Sequence, residues 1–177
     1  DFDPEIQKAI GREQSYEVTR DCVAMLRSRG VKSLNADILY GLPYQTDERL
    51  SRSIEQLIEL NPDRVALYGY AHVPWMAKRQ AMIPDDALPS TQQRFGLSEL
   101  AKRIFQNNGY QAIGIDHFAK PSDGLAIASN TGHLRRNFQG YTDDVSPTLI
   151  GLGASSISKF PFGYLQNDPK TGGYYER

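Results

Sequence analysis

Apolar residues recur along this chain at two alternating periods. From Ser15 to Arg29 the residues Tyr16, Thr19, Cys22, Val23 and Leu26 fall at helical spacing, and Gly30 can end the helix. Leu34 to Tyr40 then alternates as a strand, with Leu34, Ala36 and Ile38 on one side and Asn35, Asp37 and Leu39 on the other. Gly41-Leu42-Pro43 breaks it. Thr46 can cap the next helix, Asp47 and Glu48 suit the positive end of its dipole, and Leu50, Ile54, Leu57 and Ile58 form its apolar stripe up to Asn61-Pro62. Arg64 to Ala71 reads as a second strand, followed by a long loop from His72 to Pro89. Ser90 and Gln93 form a capping box ahead of a third helix carrying Leu97, Leu100, Ala101, Ile104 and Phe105. Gly109 ends it, Tyr110 to His117 is predicted as a third strand, and a polar loop leads to the Gly-rich segment Leu149–Ser158. Alternation of helix and strand predicts an α/β chain built of βα units on a parallel sheet. An open doubly wound sheet and a barrel both satisfy it.

Composition narrows the partners. With 20 basic and 21 acidic residues the net charge is −1, which offers no electrostatic reason to expect nucleic acid or an anionic membrane. No apolar run approaches the roughly 20 residues that span a bilayer. One cysteine, Cys22, excludes an internal disulfide and makes the cytoplasm the expected compartment. Its place on a helical apolar face predicts a small buried hydrophobe. Asp1-Phe-Asp-Pro resembles no signal peptide and reads as the interior of a longer chain.

Candidate chemistry gathers at the predicted strand ends, where parallel α/β folds bind ligands. GIDHFAKP (114–121) and RRNFQGYT (135–142) place His117, Lys120, Arg135 and Arg136 beside Phe118, Phe138 and Tyr141, a mixture suited to a large, flat polyanion. Asp37 is an acid inside an apolar strand. It can accept backbone N–H groups from the following turn, or receive hydroxyl or ammonium hydrogen bonds from a ligand. Ala71 admits close approach to the backbone at a strand end or fits a tight interior, and His72 beside it can be a packed loop histidine. Asp116 and His117, as neighbours in a strand, would face opposite ways and form no dyad. Arg12 by itself looks like a surface arginine before a helix, and Arg135 and Arg136 can be solvated loop charge. Gly151-Leu152-Gly153-Ala154-Ser155-Ser156-Ile157 lacks a phosphate-loop lysine, so close backbone approach explains its glycines better.

The strings DFDPEIQKAIGREQ (1–14), NADILYGLPYQT (35–46), LNPDRVALYGYAHVPW (60–75), GIDHFAKPSD (114–123), NFQGYT (137–142) and GLGASSIS (151–158) closely resemble the oxygen-independent coproporphyrinogen III oxidases, radical-SAM enzymes of haem biosynthesis. The resemblance implies half of a radical-SAM partial (β/α)6, TIM-like barrel with parallel strands. Residues 1–158 would be its C-terminal half and 159–177 the start of a following segment. It also implies oxidative decarboxylation of two propionates of coproporphyrinogen III to vinyls. In that chemistry a reduced 4Fe–4S cluster cleaves SAM, and the resulting radical takes a β-hydrogen. The family holds two SAM molecules. Arg12, Asp37 and Ala71 match contacts to the second, and Ile157 matches an apolar contact to the cluster-bound one. His117 and Arg136 become candidates for substrate contact. Three closely spaced cysteines hold the family's cluster, so with Cys22 alone the metal ligands are expected upstream of Asp1. This stretch by itself is expected to be inactive. A low-potential electron donor is the implied partner and a monomer the expected state. Two rivals share features of this sequence: a haem chaperone with the same barrel, which typically differs at GIDHFAKP and RRNFQGYT, and a non-catalytic tetrapyrrole-binding module.

Overall fold

The computed structural model describes residues 1–176 and divides into two compact units, Asp1–Ala126 and Ile127–Arg177. In the first unit, Asp3 caps α1 (Pro4–Ala9) through the N–H groups of Glu5 and Ile6, and Ser15 caps α2 (Tyr16–Ser28). Then come β1 (Asn35–Tyr40), α3 (Asp47–Glu59) capped by Thr46, and β2 (Arg64–Gly69). The loop after β2 contains two 3-10 turns, Lys78–Met82 and Asp85–Ala87. It leads to α4 (Thr91–Asn107), whose Ser90–Gln93 capping box is fully formed.

The returning strand departs from expectation. In place of one strand over residues 110–117 the chain forms β3 (Gln111–Ile113), a three-residue turn, and β4 (His117–Ala119). Gly114, with φ near 60°, lets the backbone reverse there. The sheet order is β1-β2-β4-β3, with β1 and β2 parallel and β4 antiparallel to both its neighbours. The sheet is therefore mixed, where parallel strands alone were expected. The reversal inserts β4 beside the first half of β2, and the Leu67 N–H donates to the Asp116 carbonyl where the pairing ends.

One face of this sheet carries the core. Ile38, Val65, Leu67 and Phe118 pack with Leu50, Ile54 and Leu57 of α3 and with Leu97, Ala101 and Phe105 of α4. Each of the larger of these side chains contributes about 1.5–3 kcal/mol by leaving water. Phe105 meets Phe118 at 4.9 Å and Tyr110 at 5.8 Å between ring centroids. Because side chains alternate, the opposite face belongs to Asp37, Ala66 and His117, which are cross-strand partners in one row.

α5 (Gly124–Asn130) begins in the first unit and ends in the second. The second unit holds two antiparallel hairpins, β5 (Arg135–Arg136) with β6 (Tyr141–Thr142) and β7 (Ile157–Phe160) with β8 (Gly163–Gln166), followed by α6 (Thr171–Tyr175). Asn137 shapes the first hairpin by accepting from the N–H groups of Gln139 and Gly140.

Candidate functional site

The row Asp37–Ala66–His117 places a carboxylate and an imidazole two strands apart, about 10 Å at the spacing of a sheet, with only a methyl group between them. Tyr68, two residues beyond Ala66, rises on the same face and meets the His117 ring edge-on at 6.1 Å. Burial raises the pKa of the Tyr68 hydroxyl, and the Asp37 and Asp116 carboxylates raise it further. It stays a neutral donor at physiological pH.

Asp37 opens into a cavity of about 640 Å³ that Arg12 also lines, along with Gln14, Leu26 and Tyr68. That size suits a small-molecule ligand. The structure thus brings Arg12 and Asp37 to one cavity. Arg12 follows Gly11, whose φ near 64° turns the chain out of α1. The buried Gln7 fixes this stretch: its amide donates to the carbonyls of Asp1 and Gln14 and its oxygen accepts from the Gln14 N–H.

Asp37 is not the acceptor for the turn after β1. Gln45, buried, takes that task, accepting from the N–H groups of Gly41 (2.6 Å) and Leu42 (3.3 Å) while donating to the Asp1 carboxylate and the Leu39 carbonyl. Asp37 accepts instead from the Asn35 amide at 2.7 Å and remains exposed to the cavity. Gln7, Gln45 and Tyr68 escaped the sequence reading. Strand alternation, which puts Tyr68 on the same face as Ala66, was the signal for Tyr68, but the two glutamines gave none.

Ala71 lies outside the lining of that cavity, exposed just past β2, with its carbonyl accepting from Gln80. His72 is a half-buried loop histidine 3.3 Å from the Tyr70 hydroxyl. Asp116 and His117 do form a pair, Oδ1 to Nδ1 at 2.7 Å, contrary to the strand argument. Asp116 sits in the turn, where alternation does not apply, and its carboxylate folds back onto the buried imidazole. Lys120 spends its ammonium on the carbonyl and side-chain oxygen of Asn61, latching a loop. Cys22 is exposed and contributes to the cavity wall, where burial was expected. The stripe of α2 is only half covered, and none of its residues is buried.

In the second unit, Ile157 opens β7 and is half-buried. Gly151 is pressed against this strand, since a Cβ there would lie 2.9 Å from Ser156 Cβ and 3.0 Å from the Ile157 backbone. Close approach to a neighbouring strand therefore explains that glycine. Arg135 and Arg136 are exposed on β5, and the Arg136 guanidinium lies 5.4 Å from the Tyr141 ring centroid. Phe138, exposed, meets Tyr164 edge-on. Among the described residues no three His, Cys, Asp or Glu side chains gather as a metal site.

No family model matches the chain. An oxygen-independent coproporphyrinogen III oxidase of Paracoccus denitrificans, however, is 64% identical over all 177 residues. The chain is a close relative of one stretch of the oxygen-independent coproporphyrinogen III oxidases. The Bradyrhizobium diazoefficiens oxidase is 44% identical over 173 residues. The solved coproporphyrinogen III oxidase of Escherichia coli, described as a radical SAM enzyme, superposes with a TM-score of 0.94 at 41% identity over 99% of this chain. The chain spans 39% of the Paracoccus protein's length and 41% of the Escherichia coli chain.

Proposed function

We propose that this chain is the C-terminal half of a radical-SAM partial (β/α)6 barrel, residues 1–158, with 159–177 opening the next segment. The longer protein would perform SAM-dependent oxidative decarboxylation of coproporphyrinogen III in the cytoplasm, with a low-potential electron donor. The observation that carries this reading is the single cavity shared by Arg12 and Asp37.

The donor set fits the aminoacyl end of SAM. A guanidinium forks onto a carboxylate with two parallel hydrogen bonds, and a carboxylate accepts from an ammonium or ribose hydroxyl. Arg12 and Asp37 would hold those groups, and Ala71 would admit the ligand along the backbone past β2. Ile157 would supply an apolar contact to the other SAM, the cluster-bound one. When bound, SAM and a reduced 4Fe–4S cluster supply the radical that takes a propionate β-hydrogen. The protein's share is to orient the reactants and to keep water from them. His117, held by Asp116 and walled by Tyr68, and Arg136 beside Tyr141 are the candidates for substrate contact. Cys22 being the single cysteine, this stretch does not fit the cluster itself. Its ligands belong to the rest of the longer protein, and this chain alone would be inactive.

The test is anaerobic turnover by the full-length protein with reconstituted cluster. Asp37→Ala should raise the KM for SAM about tenfold or more, as expected for loss of a hydrogen bond to a charged group, with iron content unchanged. Arg12→Lys should raise it similarly, because an ammonium keeps the charge and loses the fork. An unaltered KM for SAM in both variants would remove the site assignment, and a wild-type protein that releases no CO2 would remove the reaction.

A further inference from the structure

Arg94 lies in the first turns of α4, at the end of the first unit where β1 and β2 finish. Its side chain lies over those strand ends. A Cβ on Gly41, just after β1, would fall 3.0 Å from Arg94 Nε and 3.3 Å from its Cγ. A Cβ on Gly69, the last residue of β2, would fall 3.3 Å from Arg94 Nη2 and 3.0 Å from the Tyr40 hydroxyl. Two glycines at two adjacent strand ends therefore make the groove in which the guanidinium rests. Larger residues would lift it away.

The guanidinium is half-buried, yet it donates one hydrogen bond, from Nη2 to the Tyr70 carbonyl at 2.7 Å. It forms no ion pair among the described residues, in contrast to Arg27, Arg49 and Arg64 of the same unit. A guanidinium carries five N–H donors in a planar fork matched to a carboxylate, and the single bond to Tyr70 leaves most of them for a ligand. That bond fixes the rotamer, so the fork is preorganised at the carboxyl ends of parallel strands, where α/β folds bind their ligands.

We propose that Arg94 binds a carboxylate of the substrate, a propionate in the reading above, on which this assignment rests. The same chemistry could be offered by the aminoacyl carboxylate of SAM, but Arg12 already answers to that group across the cavity of Asp37. Arg94 then sets specificity for the acid side chains of the macrocycle. It acts by position and charge, with no bond made or broken at the residue.

The experiment uses the full-length protein with three variants, Arg94→Ala, Arg94→Lys and Gly69→Ala. The last crowds the guanidinium, and the Tyr40 ring beside it, without deleting either, at a backbone position that any residue can adopt. Affinity is read by fluorescence quenching with coproporphyrin III, which keeps the propionates, and with its methyl ester, which lacks the charge. KM values for coproporphyrinogen III and SAM are read alongside. Arg94→Ala should weaken the acid about ten- to hundredfold, leave the ester within twofold, and raise the KM for coproporphyrinogen III alone; Arg94→Lys and Gly69→Ala should fall between. Equal losses for acid and ester would mark a structural role and overturn the proposal, as would no loss for either. A rise confined to the KM for SAM would overturn it too, giving the carboxylate to SAM. Should the wild-type protein show no decarboxylation, the acid–ester comparison still decides Arg94, because it reads binding without turnover.

Discussion

Tyr110 shows how much one side chain can tie together. Buried between Phe105 and the loop before β2, it donates its hydroxyl to the Pro62 carbonyl at 2.7 Å. Burial pushes its pKa up from 10.0 to about 12, with the Asp63 carboxylate adding to the effect. A tyrosine whose folded pKa is raised holds its proton longer folded than unfolded. Its contribution to stability is complete below about pH 10 and is lost as pH rises toward about 12. Tyr110→Phe should cost about 1 kcal/mol at neutral pH, because the Pro62 carbonyl loses its donor, and should shrink the stability lost between pH 8 and pH 11. Urea unfolding at both values checks this; an unchanged alkaline decline would assign it to other tyrosines. At this scale the sequence was informative where a residue type broke its surroundings. Asp37 stood out as an acid in an apolar strand, and of the two roles that signal left open the structure gives the turn to Gln45 and leaves Asp37 exposed to the cavity. It was silent where the structure uses an ordinary-looking polar residue. Gln45 satisfies the turn after β1 from three and four residues away, its side-chain oxygen folding back onto the Leu42 and Gly41 N–H groups, and a glutamine there breaks no pattern that would announce the role.

Elements were legible in kind more than in burial. The stripe Tyr16, Thr19, Cys22, Val23 and Leu26 correctly announced α2, but amphipathicity names the face a helix would bury and not whether anything covers it. α2 buries no residue. It is held by Tyr16, which meets Phe2 edge-on at 5.5 Å and donates to Glu59, and by Arg27. Arg27 donates to the carbonyls of Val31, Lys32 and Asn61 and pairs with Asp63 at 2.5 Å. Amide hydrogen exchange should therefore find α2 opening locally, well before α3 with its buried Leu50, Ile54 and Leu57. Arg27→Ala should speed α2 exchange about tenfold, the equivalent of one hydrogen bond to a charged group, while leaving α3 within twofold. Equal protection of α2 and α3 in the unaltered chain would contradict this account. The third strand misled for a different reason. Tyr110 to His117 reads as one strand after the helix stop at Gly109, yet Gly114 permits the reversal and pairing with β2 rewards it. A competition between a longer strand and a hairpin is settled by a partner that the local sequence does not contain.

For the molecule as a whole, the consequence of the topology is an edge. Among the described residues β1 bonds to β2 on one side only, and its other side faces the cavity of Arg12 and Asp37. An unpaired strand six residues long offers N–H and C=O groups to any strand that can reach them. Asn35 and Asp37 blunt this edge with polar side chains, but Leu39 lies between the polar pair and the turn and gives a second copy an apolar contact. The 177-residue chain on its own should therefore associate as its concentration rises, with the weight-average sedimentation coefficient climbing through the micromolar range. Leu39→Lys should return it toward a monomer, since a charge facing outward at an edge is costly to pair against. Leu165, exposed on β8 of the second unit, is the control: Leu165→Lys should leave association unchanged. A fall with the control instead would move the contact to β8, and a concentration-independent monomer would show that the side chains around β1 already protect it. The same edge lies beside the proposed SAM site, so a strand that paired there would also wall the cavity. Adding SAM to the isolated chain should accordingly change its association little, because without that wall Arg12 and Asp37 hold the ligand weakly.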